Sequence, residues 1–136
     1  MNARRGMRFD ATALSIALVT IAAILLSLTQ VFAGEADVVG VKAQLEAGGT
    51  WRFDVTVRHA DEGWDHYTDK WLVEGPDGTV YGERVLLHPH ETEQPFTRMQ
   101  TGIDIPTDVK VVTVRANDSV HGFGGAAMDV DLDALR

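Results

Sequence analysis

The sequence predicts an all-β fold: a seven-stranded antiparallel sandwich of immunoglobulin-like or fibronectin-like type, placed after an N-terminal signal or anchor segment. Three observations predict it. Beyond residue 33 the apolar residues recur with period two, Pro, Gly and Asp punctuate the chain between short runs, and no helical stripe of useful length interrupts them. Seven such runs in about 100 residues fit two packed sheets.

The first run is DVVGVKAQL (Asp37 to Leu45), closed by the turn AGG at Ala47 to Gly49. TWRFDVTVRH follows, alternating Trp51, Phe53, Val55 and Val57 with Arg52, Asp54, Thr56 and Arg58, which is a strand with one buried face. His59 continues the buried parity at its end. DKWLVE (Asp69 to Glu74) and TVYGERVLLH (Thr79 to His88) flank GPDG, where proline and glycine sit as a tight turn requires. PFTRMQT (Pro95 to Thr101), VKVVTVRA (Val109 to Ala116) and AAMDVDL (Ala126 to Leu132) complete the set. Trp71 is the expected core tryptophan. The chain divides into residues 1–33 and a β-sandwich domain over 34–136.

Residues 1–33 read as an export signal. MNARRGMR carries three arginines, Ala11 to Leu28 is 18 residues without a charge, and VFA ends at Ala33 with side chains that signal peptidase accepts. Cleavage would leave Gly34 first in a periplasmic or secreted domain; an uncleaved segment would anchor it through residues 11–28, close to the roughly 20 apolar residues that span a bilayer. Arg4, Arg5, Arg8 and Asp10 are the charges of this segment, so residues 34–136 hold 9 Lys+Arg against 19 Asp+Glu, a net charge of −10. Such a surface repels phosphate, which argues against nucleic acid or anionic lipid as partners. The absence of cysteine removes disulfides, a lipid-bearing thiol, thiolate zinc sites, iron–sulfur clusters and blue copper.

The histidines carry the functional expectation. In an antiparallel sandwich the connections alternate between two ends, and those after the second, fourth and sixth strands share one. His59 and His66 fall in the first of these, His88 and His90 in the next, His121 in the last. His88 and His90 are two apart, which places them on one face of an extended segment. They are the leading candidates for ligands of Cu(II) or Zn(II), followed by His59 and His121, with His66 or Asp65 as an outer member. Asp61, Glu62, Asp65, Glu91, Glu93 and Asp118 collect at the same end and can ligate or orient imidazoles. The competing expectation is that these histidines pin loops by ordinary hydrogen bonds.

The combination GWDHY…W…HPH…QPFTR…VHGFGG, from roughly Arg58 to Gly125, resembles a small family of exported bacterial proteins with no established activity. A looser similarity links the chain to periplasmic copper-carrier sandwiches, which hold Cu(II) through histidines at one end of a cysteine-free β-fold. Such carriers commonly use a mature N-terminal histidine, whereas cleavage here would leave Gly34. The reading from the loop histidines is an exported domain that binds a divalent transition metal as a carrier, buffer or accessory protein.

Other chemistries have weaker signals. Ser119 and His121 in NDSVH lack a nucleophile elbow, and GFGG lacks the lysine and helix of a phosphate loop. Metal-assisted hydrolysis would need an open coordination position and a base such as Glu91 or Asp65. The second functional expectation is a metal-free module that contacts another extracytoplasmic protein through exposed Trp64, Tyr67, Phe96 and Phe123.

Overall fold

The computed structural model describes residues 34–136; the expected export segment lies outside the described residues. Seven strands form two antiparallel sheets: β1 (Asp37–Leu45), β2 (Trp51–Arg58), β3 (Thr68–Glu74), β4 (Val80–Val85), β5 (Phe96–Ile103), β6 (Val111–Asp118) and β7 (Met128–Asp131). One sheet has the order β1-β2-β5, the other β4-β3-β6-β7. This is the expected sandwich. β4 pairs with β3 and not with the β1-β2-β5 sheet, so the division differs from that of a constant immunoglobulin domain. No helix among the described residues is long and apolar enough to cross a membrane.

Side-chain alternation builds the core. Trp51, Phe53, Val55 and Val57 of β2 point inward and meet Trp71 and Val73 of β3 and Val112, Val114 and Ala116 of β6. All are buried, including the expected Trp71. The cysteine-free domain therefore rests on apolar contact between its sheets, with each large side chain contributing roughly 1.5–3 kcal/mol on burial.

Strand limits differ from the sequence reading in one informative place. The run through His88 leaves the ladder at Val85, because the chain must bend there to cross from the β3 sheet to the β1-β2-β5 sheet. Leu86 stays buried while Leu87 is exposed. His88 and His90 consequently sit in a loop, not on a strand. Phe96, expected as an exposed contact residue, is buried: as the first residue of β5 it faces inward and stacks on the His90 ring at 3.9 Å.

The connections alternate between ends, and those after β2, β4 and β6 share the end that holds all five histidines. The segment before β1 closes this end. Val38 N–H donates to the Ala126 carbonyl at 2.8 Å, and Ala126 N–H donates to Asp37 Oδ1 at 2.7 Å. Gly125 makes that approach possible, since a Cβ there would overlap the Ala36 carbonyl. Gly125→Ala is expected to lower stability by about 1–3 kcal/mol, the range for forcing atoms into a packed site, read as a reduced urea midpoint.

Candidate metal centre

β2 and β6 lie in opposite sheets, and both run out at the histidine end. The inward parity of β6 passes through Val112, Val114 and Ala116 to Asp118; that of β2 passes through Val57 to His59, one residue beyond the strand. The last inward position of each strand is thus polar, and the two meet across the mouth of the sandwich. His59 Nε2 lies 3.1 Å from Asp118 Oδ2. Asp118 is 1% exposed.

Two more imidazoles reach the same oxygen. His66 Nε2 is 2.9 Å and His121 Nδ1 2.8 Å from Asp118 Oδ2. The other oxygen, Oδ1, accepts from the backbone N–H groups of Val120 and His121 at 2.7 and 3.3 Å. Burial alone would raise the Asp118 carboxyl, but the Val120 N–H and the bonds from His121 and His66 outweigh it. The group is held well below the usual carboxylate range. His66 is raised above its ordinary value, chiefly by its bond to Asp118 and against the effect of burial.

His59 has a second buried partner. Its Nδ1 lies 2.5 Å from Asp61 Oδ1, which also accepts the Thr68 N–H at 3.0 Å, while Asp61 Oδ2 accepts the His90 N–H at 2.6 Å. The ring is therefore held between two carboxylates. A neutral imidazole has one N–H and one lone pair, so it can donate to Asp61 but then turns a lone pair toward Asp118. Three ring nitrogens around one carboxylate oxygen also exceed its two lone pairs. A cation among these atoms, an added proton on a ring or a metal ion, would relieve this conflict.

His59, His66 and Asp118 offer one ligand atom each, all within 4.8 Å of one another. Ligands at metal–nitrogen distances near 2.0–2.1 Å stand about 3.3 Å apart in a tetrahedron, so these three residues could hold a metal ion with small adjustments. His121, with its side chain 40% exposed, stands on the solvent side.

His88 and His90 do not join this group. Their rings pair with each other, centroids 4.6 Å apart, and exposed His88 turns Nδ1 to the Pro89 carbonyl at 3.0 Å. His90 is buried behind Asp61, with Nδ1 3.8 Å from Asp61 Oδ2 and neither ring nitrogen hydrogen-bonded. Burial, then the charges of Arg98 and His88, lowers its pKa. Asp65 and Glu91 are exposed. Ser119 Oγ accepts the Tyr67 N–H at 3.1 Å and so pins two loops together. Trp64 is 67% exposed and meets the half-buried Tyr67 edge-on; Phe123 is half-buried beneath the Arg115 guanidinium.

The sequence reading placed Asp118 and Asp61 among six acidic candidates without separating them. The signal that separates Asp118 is strand parity: it occupies an inward position of β6, where a carboxylate is unfavourable unless partnered.

Among proteins of known description, the chain is similar to one from Halomicrobium mukohataei named "Putative lipoprotein", with 46% identity over 100 residues. The match covers 74% of this chain and about half, 49%, of the length of that curated relative. This sequence has no cysteine that could carry a thioether-linked lipid. No protein-family model and no solved structure matches the chain.

Two outcomes follow for the metal-free protein. Asp118→Asn should lower stability at neutral pH by about 3–5 kcal/mol, as removal of one member of a buried charged pair does. Because the folded pKa of Asp118 is depressed, its contribution is present above the ordinary value of 3.8 and lost as pH falls below it. The difference between wild type and variant in urea unfolding should shrink correspondingly. His90→Phe should show the same direction of pH dependence, over a higher interval. His90 has a lowered folded pKa, so wild type loses stability as pH falls through and below 6.5, and the variant's relative stability should rise over that interval.

Proposed function

We propose that the chain is an exported β-sandwich whose histidine end binds one divalent transition-metal ion, Cu(II) or Zn(II), as a carrier, buffer or accessory protein. The observation that carries the reading is the arrangement of His59, which faces Asp61 through Nδ1 and the His66–His121–Asp118 group through Nε2. A carboxylate that takes the distal N–H of an imidazole fixes the tautomer which leaves Nε2 free for a metal, the usual support for a metal-bound histidine. Three imidazoles and one carboxylate, with no thiolate, suit Zn(II) and Cu(II). Part of the site is open to solvent at His121, which suits exchange more than permanent structural closure.

Export is supported by the basic and apolar start of the sequence and by the name of the relative from Halomicrobium mukohataei. The net charge of −10 over residues 34–136 raises the local concentration of cations at the surface. A second reading, contact with another extracytoplasmic protein, is favoured by the exposure of Trp64 beside the same opening.

Isothermal titration of the purified chain with Zn(II) and with Cu(II) tests the metal reading. One ion per chain is expected. His66→Ala should weaken binding by about 100-fold or more, and Asp61→Asn by about 10–100-fold, as loss of an outer partner does. His88→Ala should leave it unchanged. A stoichiometry near zero, or a loss on His88→Ala as large as on His66→Ala, would falsify the assignment.

A further inference from the structure

Residues 34–136 hold 9 Lys+Arg, and six of these pair with carboxylates: Arg52, Lys70, Arg98, Lys110, Arg115 and Arg136. Lys42 and Arg58 have no such partner and are exposed to water. Arg84 differs from both. It is half-buried, its Nε is covered and has no hydrogen-bond acceptor, and no carboxylate among the described residues pairs with it. The same stretch holds 19 Asp+Glu, so the lack of one here belongs to the site and not to the composition. A guanidinium withdrawn from water without a partner is costly, and an acceptor that reached it would relieve that cost.

The surroundings of Arg84 provide a place for such an acceptor. β4 and β5 are each the last strand of a sheet, and they lie side by side. At Gly82 the two strands approach so closely that a Cβ there would overlap the Ile103 side chain. Two residues along, Arg84 takes the next inward position of β4, opposite Trp71 on β3. Trp71 Nε1 is also buried without a hydrogen-bond partner. Cross-strand neighbours on one face have Cβ atoms roughly 4.5–5.5 Å apart, so two unanswered donors stand together. Beside Arg84 a groove of about 390 Å³ runs along residues 97–101, with Asp54 at its border.

The charges already in the groove are neutralised. Asp54 is bound by Arg52 at 2.7 and 2.9 Å, and Arg98 by Glu93 at 2.9 and 3.2 Å. The free edge of β5 is partly closed as well. Arg98 Nη1 donates to the Thr97 carbonyl at 2.8 Å, and Gln100 Nε2 to the Thr101 carbonyl at 3.2 Å. An added strand would have to displace both bonds, which disfavours an extended peptide as the occupant. The backbone of Met99 faces the same edge by strand alternation, and its N–H is left as a further donor.

We propose that the groove between β4 and β5 binds a small organic acid, whose carboxylate pairs with the Arg84 guanidinium while the rest of the molecule lies along residues 97–101. The planar fork of an arginine matches the two oxygens of a carboxylate. One unpaired positive charge, in a domain of net charge −10, favours a monoanion over a multiply charged phosphate. Met99, 43% exposed, supplies an apolar wall for a short alkyl chain. None of the residues of the metal reading takes part, so the two sites stand or fall separately.

The test uses the isotopically labelled purified chain, with butyrate and inorganic phosphate each added at matched ionic strength. Nuclear magnetic resonance follows the Arg84 Nε–H and Trp71 Nε1–H signals. Butyrate is expected to shift both saturably, with a dissociation constant in the millimolar range suited to so small a ligand. Arg84→Met should weaken butyrate binding by about tenfold or more, the scale of a lost charge-assisted hydrogen bond. In the absence of butyrate this variant should have a raised urea midpoint, because an unpartnered covered charge is gone. Arg84→Lys keeps the charge without the fork and should also bind more weakly, which preserves the test if the methionine variant does not fold. Failure of butyrate to shift the Arg84 signal, or equal affinity in Arg84→Lys, overturns the site. Tighter binding of phosphate than of butyrate overturns the assignment to a carboxylic acid.

Discussion

A carboxylate with almost no solvent contact sits where the core of the sandwich ends, and the loops around it are arranged to make that tolerable. Asp118 occupies the inward position after Ala116 on β6, where another Val would simply extend the core. Leaving an ionised carboxylate there without partners would cost several kcal/mol. Its two oxygens instead face five nitrogens, two from the backbone of its own loop and three from imidazoles. Satisfying this one group determines the path of the β6–β7 loop through Val120 and His121. It also draws the β2–β3 loop inward through His59 and His66.

Asp61 repeats the arrangement one layer back. It takes the His59 ring, the Thr68 N–H at the start of β3 and the His90 N–H of the β4–β5 loop. Three loops, from both sheets, are thus joined through two buried aspartates, with His59 between them. The end without histidines has tight turns such as Gly75–Gly78, where a short loop satisfies its own backbone. Long loops at one end and short ones at the other are the usual division between a binding end and a structural end on a sandwich scaffold.

The local rules worked where neighbours in sequence decide the outcome. Alternation over residues 51–57 specified β2 and its buried face, and the GPDG turn specified the β3–β4 hairpin. The same rules ranked His88 and His90 first on their two-residue spacing, which assumes an extended backbone and a shared target. The chain bends after Val85, His88 turns to the Pro89 carbonyl, and His90 is drawn behind Asp61 against Phe96. Phe96 was misplaced for a related reason: adjacent to a polar loop in sequence, it is inward on β5 in space. Periodicity does not say which face of a strand begins the core when the preceding loop is irregular.

From its sequence alone the protein has a defined class and a defined end. Strand period, turn residues and the lack of cysteine yield an apolar two-sheet sandwich, and the alternation of antiparallel strands collects every histidine at one rim. Tertiary structure alone decided which of them converge, because that depends on pairing between strands far apart in the chain. His59 and Asp118 are separated by 59 positions and meet only when β2 and β6 face each other across the core. Glu35 and Ala36 pack at the same end because Gly124 and Gly125, some ninety residues later, leave them room. Contacts of that range are set by packing between sheets, which no local pattern records.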